Sequence, residues 1–375
     1  MSLPPASPKI AFYCSSISWG GLEMNTLRYA EAFQQEGFQV LLYLVEGTTL
    51  FQRAKEMGLP TLSVIRNKKY FHFNQALRIA KQFEKDCIDI VYFRDNRDLD
   101  FLGWVKTFSS RKIKLVYHQA MQLGVSKKDF LHTLRFNRID PWVSTLNYMQ
   151  KQVRTHTRFP ANRLHVIPLG VAFDSASTLS SVESRRALNL PQDKFLVGVV
   201  GRLDEKKGQF EVIQAIPFVK ENKGNLHVVF VGNKTKNEAD AYVQKMNQFI
   251  SNNNLEESVS FLPHQQNIRQ LYRAFDLVIV PSWEETFGTV TIEAMASGVP
   301  VIGSNTAGTA EILQDERFLF RAKDPASLGS TWLNIINNDD LRAEWAIHLQ
   351  HTFQEKYSMS ASMLAWKELI YKTLE

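Results

Sequence analysis

At 375 residues the chain is long enough for two domains with sizeable cores, and 44% hydrophobic against 22% charged residues is an ordinary globular balance. The formal charge of +6 conceals a split: residues 1–170 hold 24 Lys+Arg against 13 Asp+Glu, whereas residues 171–375 hold 20 against 25, which points to different partners for the two halves. The two distant cysteines, Cys14 and Cys87, exclude a zinc pattern or disulfide framework; no apolar run approaches the ~20 residues of a membrane span, and residues 1–8 lack the basic and apolar regions of a signal peptide, so a soluble cytoplasmic protein is expected.

Residues 9–14 form a short apolar run that ends in a Ser/Gly loop. The helix expected after it places Leu22, Thr26, Tyr29, Ala30 and Phe33 on one face and closes at Gly37. Further strands are expected at 40–45, 62–65, 88–93, 113–117, 142–146 and 164–167. Near-continuous apolar runs between helices are the mark of buried parallel strands, hence of a doubly wound α/β sheet. The pattern pauses over the Ser-rich stretch 172–184, read as an interdomain linker, and restarts with runs at 195–200, 226–231, 259–262, 276–280 and 300–302. Residues 353–374 read as one helix with Met363, Trp366, Leu369, Ile370 and Leu374 on its apolar face. Two such domains put two sets of strand carboxyl ends, the usual ligand edges, on one chain, and suggest a two-substrate enzyme.

Three loops carry candidate chemistry. Gly20 and Gly21, in Trp19-Gly-Gly-Leu-Glu23, stand between the first strand and its helix, where backbone N–H groups suit a phosphate. A structural turn is the equal alternative, and neither the dinucleotide nor the P-loop fingerprint is present. In Gly201-Arg-Leu-Asp-Glu-Lys-Lys-Gly208, Arg202 and Lys207 flank a turn after the first strand of the second domain. They form either an anion site or a solvated turn beside Asp204 and Glu205. In the third loop, Pro281-Ser-Trp-Glu-Glu-Thr-Phe-Gly288 leads into a helix bearing Glu293. Glu285 either favours the helix N-terminus electrostatically or, with Glu293, recognises a hydroxyl-rich ligand.

Taken in order, G-R-L-x-x-x-K-G, the run Leu271-Tyr-Arg-Ala-Phe-Asp276, P-S-x-x-E and the pair Glu285/Glu293, with Gly-Gly after the first strand, resemble the retaining group 1 (family 4) glycosyltransferases of the GT-B fold. The resemblance covers nearly the whole chain. It implies two Rossmann-like doubly wound parallel-sheet domains facing across a cleft, with the C-terminal helix crossing back to the first. Domain boundaries follow at 1–170 (plus about 355–375) for the acceptor domain and 171–354 for the donor domain.

The resemblance also implies residue roles. Arg202 and Lys207 match the cations on the diphosphate of a nucleotide-sugar donor, Glu293 the carboxylate on its ribose, and Glu285 the carboxylate near the sugar hydroxyls. The backbone of Thr286, Phe287, Gly288 and Thr289 would touch sugar and phosphate, and Gly20 and Gly21 match a loop that reaches the diphosphate. His118, which alone reads better as a hydrogen-bonded structural residue, matches a histidine beside the donor sugar. The implied reaction retains anomeric configuration, the leaving diphosphate taking the acceptor's proton, so His118, Glu285, Arg202 and Lys207 are the catalytic candidates. The sequence departs from the family at Ala307, where Gly-Gly is usual, and at Leu262-Pro-His264, which leaves sugar and base unread.

No metal and no cofactor is expected: Asp98-Leu-Asp100 has the D-x-D form but reads as a helix N-cap. The expected partners are a nucleotide-sugar donor and a glycan or lipid-linked acceptor of bacterial envelope or extracellular polysaccharide synthesis, with no nucleic acid. The basic clusters Arg66/Lys68/Lys69, Arg111/Lys112/Lys114 and Lys127/Lys128/Arg135/Arg138, near Trp104, Phe108, Phe130 and Leu131, leave open a peripheral contact with an anionic membrane face. The competing readings are a GT-B sugar epimerase or phosphorylase and a non-catalytic nucleotide-sugar-binding subunit.

Overall fold

In a computed structural model of the chain, the residues described are 7–66, 73–173, 180–222, 224–234 and 240–375. Lys68, Lys69 and positions 174–179 of the Ser-rich stretch lie outside them. The chain divides into two compact units, Met1–Gly170 with Met359–Glu375, and Val171–Ser358.

The described residues of the first unit build a wholly parallel sheet of β1 (Lys9–Cys14), β2 (Gln39–Val45), β3 (Thr61–Val64), β4 (Ile90–Phe93), β5 (Lys114–His118), β6 (Trp142–Ser144) and β7 (Leu164–Val166). The order is β3-β2-β1-β4-β5-β6-β7, so it reverses between β1 and β4. Both faces are covered, which is why the strands are apolar throughout and not alternating: Ile10, Ala11, Phe12 and Tyr13 are all fully buried. On one face Ala11, Tyr13, Val91, Phe93, Leu115 and Tyr117 join Phe83, Phe101 and Leu102 in a single cluster. On the other, Phe12, Tyr92 and His118 meet Tyr29 and Phe33 of the helix Gly21–Gln35. Trp366 of the C-terminal helix completes that layer, with ring centroids 5.1 Å from His118, 5.4 Å from Tyr92 and 5.8 Å from Phe33.

The expected single helix over 353–374 is two pieces. A π-turn, Phe353–Tyr357, ends at Ser358, whose backbone is extended, and the helix restarts at Met359 and runs to Leu374. Met363, Trp366, Leu369 and Ile370 are buried as expected, but Leu374 is 36% exposed and leaves the apolar face. Ser362 ties the helix down, its hydroxyl donating to the Pro168 carbonyl (2.9 Å) and lying 3.0 Å from the Tyr29 hydroxyl.

The second unit holds β8 (Phe195–Val200), β9 (Leu226–Val231), β10 (Val259–Leu262), β11 (Leu277–Val280), β12 (Val301–Ser304) and β13 (Leu319–Phe320), parallel, in the order β10-β9-β8-β11-β12-β13. β13 is not anticipated by periodicity, since two residues carry none. The Ser-rich stretch is not wholly linker either: residues Ser181–Ala187 are helical, started by a capping box between Ser180 and Glu183.

Removing the Trp366 ring empties the centre of the aromatic layer, and burial of this kind predicts a loss of about 3–5 kcal/mol for Trp366→Ala. Urea denaturation of the full chain checks it; a change under about 1 kcal/mol would mean that the helix does not hold the first unit together.

Candidate functional site

The site in the second unit depends on how β8 and β11 are seated. Asp276, just before β11, accepts from the Leu196 backbone N–H (2.7 Å) and from Arg185 (2.7 Å), and Arg185 is itself 7% exposed. Beside it, the Phe275 ring lies over Gly198 so closely that a Cβ there would stand 2.3 Å from the ring. The run Leu271-Tyr-Arg-Ala-Phe-Asp276 therefore works as a clamp on the first strand of the unit.

Two loops leave the carboxyl ends of these strands and dock on each other. Gly208 has φ +70, and a Cβ would come within 2.3 Å of the Pro281 carbonyl oxygen, so only glycine lets the loops approach. The Trp283 N–H donates to the Lys206 carbonyl (2.9 Å) across the same seam. The loops are thereby in register, and Lys207 pairs with Glu285 at 2.6 Å while Lys206 pairs with Glu284 at 2.8 Å. The second pair is freely exposed and worth little. The first is partly sheltered, with side chains 29% and 18% exposed. The Glu285 carbonyl also accepts from the Gly308 N–H (3.2 Å). Glu285 thus faces Lys207, and it does not act merely as an electrostatic cap.

The helix Thr289–Ala296 begins at Gly288 (φ 90) without a side-chain cap, so its first N–H groups stay available at the loop's end. Thr286 and Thr289 are half-buried, and Phe287 is buried against Tyr357. Glu293, in the second turn, accepts a hydrogen bond from the Tyr272 hydroxyl at 3.1 Å. Burial, then the Glu293 charge, holds that phenol protonated. Arg202 is exposed, and its backbone carbonyl accepts from Gln209 (2.7 Å). Ala307, at the departure from Gly-Gly, takes a left-handed backbone (φ 47), a conformation in which glycine carries no Cβ penalty.

In the first unit, Gly20 is the extended N-cap of the helix Gly21–Gln35. A Cβ on Gly20 would make only an ordinary 3.6 Å contact with Glu23, and one on Gly21 would meet nothing within 4 Å, so packing requires neither glycine. His118, the last residue of β5, is fully buried, with Nδ1 on the Tyr92 hydroxyl and Nε2 without a partner. Burial, reinforced by the Arg94 charge, pushes its pKa well below the ordinary imidazole value. It is therefore a neutral hydrogen-bonding group.

Asp98 stands at the expected N-cap position of the helix Leu99–Phe108, but its side chain makes no cap bond. Its fully buried carboxylate accepts from the Ser15 N–H (3.1 Å) and hydroxyl. Asp100 pairs with Arg135 at 2.9 Å. Among the described residues no group of three His, Cys, Asp or Glu side chains is disposed to hold a metal ion. Sequence reasoning did not single out Arg94, Tyr272 or Arg185; Tyr272 lies within a quoted motif, but burial gives the other two their roles and leaves no local sequence signal.

Two family profiles match the chain: glycosyltransferase family 4 over residues 19–175 and glycosyl transferases group 1 over residues 180–349. The chain belongs to the group 1 (family 4) glycosyltransferases, and its two parallel-sheet domains have the GT-B fold. A D-inositol 3-phosphate glycosyltransferase of Salinispora arenicola is 32% identical over 44% of this chain and 38% of its own length. The alignments with the inositol-phosphate relatives thus span about 35–51% of those proteins. An uncharacterised glycosyltransferase of Methanocaldococcus jannaschii is 28% identical over 79% of this chain and 80% of its own. Among solved structures, a Rickettsia africae glycosyltransferase superposes with a TM-score of 0.85 at 18% identity over 98% and 99% of the two chains. HepE of Anabaena, solved with UDP, gives 0.84 at 21% over 97% and 100%.

The state of His118 is open to a pH test. Below about pH 6.5 the unfolded chain binds a proton at this imidazole and the folded chain does not, so acid costs the fold up to about 1.4 kcal/mol per pH unit from this group. Stability measured by urea at pH 7.5, 6.5 and 5.5 should fall more steeply for the natural protein than for His118→Gln; parallel slopes would show that His118 titrates normally.

Proposed function

We propose that the chain is a retaining glycosyltransferase that moves a sugar from a nucleotide-diphosphate donor on the second unit to a glycan or lipid-linked acceptor on the first, in bacterial envelope or extracellular polysaccharide synthesis. The observation that carries this reading is the Lys207–Glu285 pair, 2.6 Å apart beside the uncapped helix start at Gly288. A cation, a carboxylate and free N–H groups at one strand edge are the complement of a diphosphate joined to a polyol. Similar proteins lend support: HepE is solved with UDP-glucose, and a Staphylococcus aureus relative, 25% identical over 53% of this chain, is named for capsular polysaccharide biosynthesis.

On donor binding, the Lys207 ammonium turns from Glu285 to the diphosphate. Glu285 is then free to accept from sugar hydroxyls, and Glu293, held by Tyr272, accepts from the ribose. Arg202, exposed at the same turn, closes on the phosphate. As the glycosidic C–O bond breaks, charge grows on the leaving diphosphate, and Arg202 and Lys207 stabilise it without a metal ion. The diphosphate oxygen takes the acceptor hydroxyl's proton on the same face, which preserves the anomeric configuration. His118, neutral, moves no proton.

The membrane-carried form of the acceptor fits the first unit's surface. Phe130 (75% exposed), Leu131 (74%) and Leu134 (51%) project from the helix Phe130–Phe136, next to exposed Lys128. Not all of the basic clusters serve this face: Arg111 pairs with Asp89, and Arg138 stacks on Trp104. No described helix is long and apolar enough to cross a membrane, so contact through this patch is peripheral.

Lys207→Ala is expected to lose about 10²–10³-fold in kcat with an unchanged melting temperature, measured with the UDP-, GDP- or ADP-sugar that raises the melting temperature most. Turnover like the natural protein's would remove Lys207 from the site, and a panel in which no nucleotide sugar binds would favour a non-catalytic chain. Vesicle flotation tests the surface: binding to anionic vesicles should exceed binding to neutral ones and fall at least about tenfold in Phe130→Glu/Leu131→Glu. Equal failure to float with both vesicle types rejects the membrane contact.

A further inference from the structure

The carboxyl edge of the first sheet holds a buried cation that pairs with no carboxylate among the described residues. Arg94 is the first residue beyond β4, one of the two strands between which the strand order reverses, and the crevice outside such strand ends is where doubly wound sheets bind ligands. It is 4% exposed, and its Nε and Nη1 atoms are buried without a hydrogen-bond partner. The guanidinium lies 5.9 Å from the centre of the Tyr29 ring.

The acids of the same edge are engaged elsewhere. Asp95 holds Arg97, Asp98 holds Ser15, and Glu23 accepts from Ser16. A guanidinium removed from water without a counter-charge is a large desolvation cost that a structural residue does not offset. His118, at the end of the adjacent strand β5, adds a second buried nitrogen without a partner, Nε2. With Nδ1 held by the Tyr92 hydroxyl, the ring is fixed in orientation.

We propose that Arg94 and His118 form an oxyanion site at the carboxyl edge of the first sheet, which takes a carboxylate or phosphate carried by one of the sugar reactants. The forked N–H groups of arginine match either oxyanion in a bidentate manner, and the anion supplies the charge that Arg94 lacks. The existence of the site is independent of the glycosyltransferase reading; the assignment of its anion to a reactant rests on that reading. Arg94 then sets specificity, because a neutral reactant would leave the guanidinium buried without a counter-charge.

Thermal melting with inorganic phosphate tests the site directly, in an Arg202→Ala/Lys207→Ala background so that the second unit's two cations do not contribute. The melting temperature should rise with phosphate in that background and not when Arg94→Met is added; Arg94→Lys, which keeps the charge, covers the case in which the methionine variant does not fold and should retain part of the rise. Relief of an uncompensated buried charge also predicts that Arg94→Met melts no lower than its parent, whereas a structural arginine predicts a lower melting temperature. An equal phosphate response with and without Arg94, or no response in the parent, overturns the site.

Turnover in the chain with Arg202 and Lys207 intact then identifies the reactant. A preference for UDP-glucuronate over UDP-glucose that drops at least about tenfold in Arg94→Met places the carboxylate on the donor; the same drop for a sugar phosphate over its neutral sugar places the phosphate on the acceptor. No drop in either comparison overturns the reactant assignment. Absence of turnover with every donor defeats the glycosyltransferase reading, and the phosphate melt still decides the oxyanion site.

Discussion

The approach of Gly208 to the Pro281 carbonyl is the contact on which the candidate donor site depends. It brings together two loops that leave different strands, β8 and β11, and lines up two lysines with two glutamates. Without it Lys207 and Glu285 would be charges on separate mobile turns, and an isolated ion pair in water has little power to hold such turns together. The backbone contact does the positioning, and the ion pair inherits it. The same logic runs one level down: the strands can present the loops because the Phe275 ring sits on Gly198 and Asp276 bridges the start of β8 and Arg185.

The two units solve the problem of polar groups at a sheet edge differently. In the second, Lys207, Glu285, Glu293 and Tyr272 satisfy one another, and a ligand must exchange partners with them. Exchange keeps the empty site stable, and an incoming anion would take the place of a carboxylate on the lysine. In the first, Arg94 and His118 keep buried nitrogens without partners beneath the aromatic layer of Tyr29, Tyr92 and Trp366. That layer supplies the stability that the polar edge lacks, through the C-terminal helix that returns Trp366 to the first sheet.

Much of the fold was legible because buried parallel strands are written as unbroken apolar runs: β1, β8, β9 and β10 fall on the expected residues. Ends shift where turn geometry overrides composition, as at β4, which starts at Ile90, after Cys87 takes a left-handed backbone (φ 55). The helix Ser181–Ala187 was readable from Ser180-x-x-Glu183, a capping signal hidden by the serine-rich composition around it. The break at Ser358 was not, since the apolar period runs on across it. For the site, the order of the loop motifs made Lys207, Glu285 and Glu293 visible as a set, and the resemblance alone singled out His118. Arg94 was hidden because an arginine after a strand is ordinary in sequence, and only burial without a partner makes it unusual.

The uneven charge of the two halves takes on a different meaning once partners are assigned. Several cations of the first half are engaged within its own fold: Arg111 with Asp89, Arg135 with Asp100, Lys106 with Asp140, and Arg138 with the face of Trp104. Charges of this kind are screened by solvent and say little about a ligand. Arg94 adds one unit to the same sum, yet it is buried and pairs with no carboxylate among the described residues, and there each nearby opposite charge acts far more strongly. The net charge of a domain therefore describes its surface. Its chemistry is set by the few charges that folding has desolvated, here Arg94 in the basic half and the half-sheltered Lys207 in the acidic one.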